Sequence, residues 1–159
     1  MITHLTLYTT QPQRLQRFYA QTLGLPTQTL DRGFELAIGQ TTIHWRQADL
    51  ATPYHYAINI PSNKVQEALT WLRARTPILP YQGQDIIDFQ AWNAEAMYFY
   101  DSDQNIVELI ARHNTQPSLE APFGVAQCLG VSEIGAPTPQ MAQACAFLME
   151  EAGIARYSG

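Results

Sequence analysis

AMYFYDSDQNIVELIA, residues 96–111, reads as a strand, a polar turn and a second strand. Met97, Tyr98, Phe99 and Tyr100 are residues that suit a pleated surface. Asp101-Ser102-Asp103-Gln104-Asn105 supplies side chains that bond their own backbone, the chemistry of a turn. From Asn105 to Ala111 the chain resumes as a strand of branched aliphatics broken by one charge, Glu108. Alternation puts Val107, Leu109 and Ala111 on one face and Ile106, Glu108 and Ile110 on the other. A carboxylate in the middle of such a run is costly to bury alone. Glu108 therefore sits on a wet face or is met there by something positive.

Two other strands carry a histidine that answers this need. Residues 2–9 alternate, with His4, Thr6 and Tyr8 pointing one way and Leu5 and Leu7 the other. Residues 11–23 carry Leu15, Phe18, Tyr19 and Leu23 at helical spacing, and Gly24 and Pro26 stop that helix. A hairpin follows at 34–38 and 41–46, in which Thr42, His44 and Arg46 oppose Ile43 and Trp45. The succession then restarts. Residues 54–60 form a strand with His55, Ala57 and Asn59 on one face, and 63–74 a helix with the stripe Val65, Ala68, Leu69 and Leu72. Residues 82–94 are the least regular, with a short strand expected at 86–89.

The chain is thus an internal repeat of strand, helix and strands, in which His4 falls on His55 and Phe18 on Leu69. The reading divides it into a domain at 1–112 (modules 1–50 and 54–112), a linker at 113–130 and a partial third βα unit at 131–159. In the third copy Glu133 takes the place of His4, and Phe147 that of Phe18. That unit reads as a truncated repeat or as a cap on the other two.

Composition excludes several functions. The formal net charge is -5 and Lys64 is the only lysine, so there is no basic stripe for a nucleic acid. No apolar run approaches a membrane span, and the start MITHLTLY lacks the pattern of a signal peptide. Cys128 and Cys145 stand apart without a C-x-x-C spacing, which suits a reducing compartment; a cytoplasmic protein is expected. There is no G-x-S-x-G, Walker loop, dinucleotide fingerprint or H-E-x-x-H. Asp101-x-Asp103-x-Asn105 fails as a calcium loop, because Ile106 and Arg112 stand where glycine and glutamate are required.

The motifs HLTLYT, RFYAQTLGL, YHYAINI and MYFYDSDQNIVELI resemble the vicinal oxygen chelate superfamily over residues 2–112. That superfamily holds glyoxalase I, fosfomycin-resistance proteins, extradiol dioxygenases and bleomycin-binding proteins. The resemblance implies an α+β fold of paired βαβββ modules, whose curved mixed sheets enclose a metal cavity. It further implies His4, His55 and Glu108 as ligands of one divalent metal, with Fe, Mn, Zn and Ni not distinguished. His44 matches the position of a fourth glyoxalase ligand and is a candidate base if it stands off the metal. Thr6 and Tyr98 match polar cavity positions and are candidate substrate contacts. Two imidazoles and a carboxylate would take one face of an octahedral ion and leave open positions for a chelating substrate.

The turn departs from the family's Asp-Pro-x-Gly, with Ser102 and Gln104 in place of proline and glycine. Asp88, Asn93 and Glu95 occupy the stretch that helps build a phosphonate pocket, which argues against fosfomycin transfer. The expected function is a metal-dependent lyase, isomerase or ring-cleaving dioxygenase on a small substrate with vicinal oxygens. The alternative is a binding protein that sequesters an aromatic ligand, with Trp45, Trp92 and Tyr98 as its contacts. A symmetric homodimer is expected in either case.

Overall fold

The computed structural model describes residues 1–155. β1 (His4–Thr9) leads into α1 (Pro12–Arg17), which continues as a π-helical segment over Phe18–Leu23 and ends on the left-handed Gly24. β2 (Thr27–Leu30), β3 (Gly33–Ile38) and β4 (Thr41–Gln47) complete a sheet of order β1-β4-β3-β2, with β1 and β4 parallel. The second module repeats the plan. β5 (His55–Ile60), α2 (Val65–Arg73), β6 (Ile87–Phe89), β7 (Ala94–Tyr100) and β8 (Ile106–Arg112) form a sheet ordered β6-β7-β8-β5, with β5 and β8 parallel. Both modules therefore run first, fourth, third, second in space. The repeat read from the sequence is a repeat of topology.

The alternation of each strand decides which face the helices cover. Leu15 and Tyr19 of the first helix and Leu7, Phe34, Leu36, Ile43 and Trp45 of the first sheet are buried together. Val65, Ala68, Leu69 and Leu72 of α2 share the same core with Tyr56, Ile58, Val107 and Leu109 of the second sheet. Phe18 joins the modules by stacking on Phe99 at 6.4 Å between ring centroids. With both helix-covered faces turned to one core, the opposite faces carry the polar residues that alternation leaves over. His4, Thr6 and Tyr8 are exposed on the first sheet. His55 and Glu108 lie on the second, beside a small apolar cluster of Ala57, Ala94, Ala96 and Ile110. The sheets are two separate sheets and form no closed barrel.

A ninth strand, β9 (Gly130–Ile134), adds antiparallel to the free edge of β5. It is tied to the first module as well, since Ile2 N donates to Val131 O at 2.9 Å and Gln40 N to Leu129 O at 3.1 Å. Gly39, in the β3–β4 turn with φ 52°, admits this approach: a Cβ there would lie 2.3 Å from the carbonyl carbon of Leu129. Gly39→Ala is therefore expected to cost about 1–3 kcal/mol from the left-handed backbone, and more from the clash. Limited proteolysis should detect β9 loosened around residues 128–131; an unchanged melt and digest would contradict this.

α3 (Met141–Glu150) follows and buries none of its residues. Phe147 is 61% exposed, unlike Phe18, its repeat equivalent, which is partly buried against the core. The 113–130 segment is packed on α2: Ser62 N donates to Pro117 O, Phe123 N donates to Glu67, and Phe123 packs edge-on against Trp71. Both cysteines are free thiols; Cys128 is buried, which pushes its thiol up to about 12. No helix among the described residues is long and apolar enough to cross a membrane.

Candidate metal centre

The expected site residues divide between the two sheets. His55 and Glu108 come together on the second. β5 and β8 run parallel with His55 opposite Ile106 and Ala57 opposite Glu108, a diagonal that the two long side chains close. His55 Nε2 lies 3.1 Å from Glu108 Oε2. The carboxylate is buried, at 5% side-chain exposure, whereas the imidazole is 43% exposed. The hydrogen bond to Glu108 is the largest cause raising the His55 pKa, and it prevails over burial, which lowers it. The partner that meets Glu108 on its strand face is this histidine.

Tyr98 stands on the other flank of the carboxylate, opposite Glu108 in the β7–β8 ladder. Burial first, then the charge of Glu108 and a hydrogen bond to it, hold the Tyr98 phenol well above its ordinary range. The phenol stays protonated and donates, keeping the carboxylate in place. Its ring lies 6.0 Å from that of His55. Both open on a cleft of about 540 Å³ whose walls are Leu79, Pro80, Tyr81, Ile87, Phe89 and Ile106. The loop wall is held by Leu79 N, which donates to Tyr98 O at 2.7 Å.

The first sheet holds the remaining candidates. His44 pairs with Glu35 on the neighbouring β3 strand, Nε2 to Oε2 at 3.0 Å. Thr6 is its Cα partner on β1, and His4 lies two residues before Thr6 on the same face. Among the described residues no three His, Cys, Asp or Glu side chains converge on a metal-sized point. Within one chain the structure therefore brings together His55, Glu108 and Tyr98. It leaves His4, Thr6 and His44 on the other sheet. Trp45 is fully buried, stacked on Phe34 and edge-on to Tyr54, so it contacts no ligand in an open cavity. Trp92 is 38% exposed and stacks on Phe89 at 5.5 Å, beside the cleft.

Arg112 was not legible as a site residue. It ends β8 on the face of Glu108, is buried, and donates to Asn59, Ser132 and Glu133. Its charge directly after the aliphatic run Leu109-Ile110-Ala111 was the available signal. Its partners on β9 could not be anticipated, because the register of that strand on β5 is a tertiary property. The cleft walls fall in the stretch around residues 78–89, which has no periodicity to read.

An imidazole nitrogen and a carboxylate oxygen held 3.1 Å apart on an open face are suitable donors for a divalent ion. They supply two positions and need a third.

No family model matches the chain, and no curated protein sequence matches it. Solved structures do. The lactoylglutathione lyase from Agrobacterium tumefaciens superposes with a TM-score of 0.56 at 17% identity, covering 69% of this chain and 91% of that one. The oxidase ChaP-H1 gives 0.57 at 18% identity, over 72% of this chain and 98% of the other. Virulence protein STM3117 from Salmonella typhimurium gives 0.55 at 21% identity, over 69% and 94%. At such identities the likeness is one of fold. This chain has a glyoxalase-like fold.

Proposed function

We propose that the chain is a divalent-metal-dependent enzyme acting on a small substrate with vicinal oxygens, of the lyase, isomerase or ring-cleaving type. The observation that carries this reading is the buried Glu108 carboxylate bonded to a half-exposed His55 at the floor of an open cleft. A carboxylate fixed by both His55 and Tyr98 is positioned before any ligand arrives. That preorganisation is what a metal or an oriented substrate requires. A divalent ion at this pair would act as a Lewis acid on two chelating oxygens. The apolar walls would orient the remainder of the substrate and exclude water from it.

The second reading is a binding protein without turnover. It is favoured by the walls of the same cleft, where Ile87, Phe89 and Ile106 with the rings of Tyr81 and Tyr98 suit an aromatic ligand. A panel of hemithioacetals and catechols, assayed with the Fe-, Mn-, Zn- and Ni-loaded protein, separates the two. The enzyme reading expects turnover with at least one pair and its loss in His55→Ala. Aromatic binding with full affinity in the metal-free protein, and turnover with none of the pairs, would establish the binder.

A further inference from the structure

We propose that the open face of the first sheet carries a binding site for a small organic anion, a carboxylate or a phosphate monoester, held by Arg32 and Arg46. The site is a pocket of about 430 Å³ lined by Tyr8, Leu30, Asp31, Arg32, Arg46 and Gln47. It shares no residue with the cleft of His55 and Tyr98 and does not depend on a metal there.

The pocket follows from register. Tyr8, Arg46, Gly33 and Leu30 form one row across the sheet, with Tyr8 opposite Arg46, Arg46 opposite Gly33 and Gly33 opposite Leu30. Paired residues share a face. Gly33 contributes no side chain, so a gap is left in the row between Arg46 and Leu30. Glycine is required there: with φ at 144°, a Cβ would lie 1.9 Å from the carbonyl oxygen of Trp45. The Asp31-Arg32 turn joins β2 to β3 and forms the rim of the pocket. Gln47 N donates to Arg32 O at 2.9 Å, which fixes that rim to the end of β4.

Charge supplies the second argument. The chain has a formal net charge of -5, and most of its cations are engaged. Arg14, Lys64, Arg73 and Arg112 pair with carboxylates, and Arg75 lies over the Trp71 ring. Among the described residues, Arg17, Arg32 and Arg46 are the arginines whose side chains have no hydrogen bond or ion pair. Two of these three line one pocket, and the phenol of Tyr8 beside them also lacks a partner. Asp31 in the same wall pairs with neither guanidinium, so two positive groups stand against one negative. Guanidinium forks match the oxygens of a carboxylate or a phosphate, and a phenol adds a further donor. Leu30, 39% exposed, and the Tyr8 ring offer apolar surface to the body of the ligand. An inorganic ion would leave that surface uncovered.

The test is calorimetric titration of the full chain with benzoate, with phenyl phosphate and, as the neutral counterpart, with benzamide. We expect one saturable site per chain for at least one of the two anions and none for benzamide. The anion that binds more tightly distinguishes a carboxylate ligand from a phosphate one. Arg46→Gln should weaken binding by about tenfold or more, because a charge-assisted hydrogen bond is lost. Asp31→Asn should strengthen it by about two- to threefold, since it removes a charge of the ligand's own sign. Arg17→Gln removes the same charge as Arg46→Gln but at the end of α1, outside the pocket, and should change nothing. Melting curves check that each variant folds. Equal losses in Arg17→Gln and Arg46→Gln would reduce the binding to general attraction by net charge and overturn the site. So would benzamide bound as tightly as benzoate, or no saturable binding of either anion by folded wild type.

Discussion

Asp101→Ala is expected to be the most destabilising single substitution at a polar position of this chain. Asp101 is buried and is the acceptor at the end of a chain of donors that joins the modules. The Tyr19 hydroxyl donates to Asp101 Oδ2 at 2.6 Å and accepts a hydrogen bond from Tyr56. Asp103 N, Asn105 N and Asn105 Nδ2 donate to the same carboxylate at 2.8, 3.0 and 2.7 Å. Alanine orphans several of these groups at about 1–3 kcal/mol each, so a loss of about 4 kcal/mol is expected. That corresponds to a fall in Tm of about 8–16 °C, read by calorimetry. A fall of a degree or two would show that water reaches the network.

The same residue has a pH signature of opposite sense to that of most carboxylates. Burial is the largest cause acting on Asp101 and raises its pKa, and its hydrogen bonds, which lower it, do not cancel the rise. With the folded pKa above the unfolded value of about 3.9, the folded chain binds the proton more tightly. This contribution therefore favours folding increasingly as pH falls through the raised pKa, and it is complete below the unfolded value. Relative to Asp101→Asn, wild type should gain stability as pH is lowered from neutrality. A relative loss over that window would reverse the sign assigned here.

Glu108→Gln is expected to have the largest effect on metal affinity with the smallest effect on the fold. Glutamine keeps the size of the side chain and can still accept from Tyr98, so melting in EDTA should barely change. Affinity for Mn(II) should fall by about 100-fold or more, since a lost ligand costs at least what a lost supporting contact does. His55 reports the same change without metal. The hydrogen bond to Glu108 is the largest cause raising its pKa, so proton NMR of the imidazole in EDTA should show the pKa fall in this variant. In wild type the raised value means that the pair stabilises the fold fully below the unfolded histidine pKa of about 6.5. That stabilisation is lost as pH rises through the folded pKa. An unshifted His55 in Glu108→Gln would show that the pairing is not what perturbs it.

The parts of the fold legible in the sequence were those where periodicity reports burial. The alternation of residues 2–9, 41–46, 54–60 and 105–111 predicted strands that the structure contains as β1, β4, β5 and β8. The helical stripes at 11–23 and 63–74 likewise match α1 with its π-helical continuation, and α2. β2 escaped because Thr27–Leu30 is short and mostly exposed, leaving no apolar face to mark it. The π-helical turn of Phe18–Leu23 escaped because its stripe of Phe18, Tyr19 and Leu23 fits ordinary helical spacing equally well.

The site was legible only in part. His55, Glu108 and Tyr98 lie together because each sits at a marked place on a strand, and the fold pairs those strands side by side. His4 and His44 carry the same local signal. Yet which sheet face meets which depends on how the modules pack, and here the shared core turns the two histidine-bearing faces away from it. Arg112 and the docking of β9 on β5 depend on a pairing between residues more than fifty positions apart, to which no local pattern points.

The central claim is that His55 and Glu108 hold one divalent metal. It is tested most directly by elemental analysis of the chain purified without added metal, side by side with Glu108→Ala. About one divalent ion per chain in wild type and almost none in the folded variant is the predicted result. Equal metal content in the two proteins, or none in wild type even after equilibration with Mn(II) and Fe(II), would contradict it.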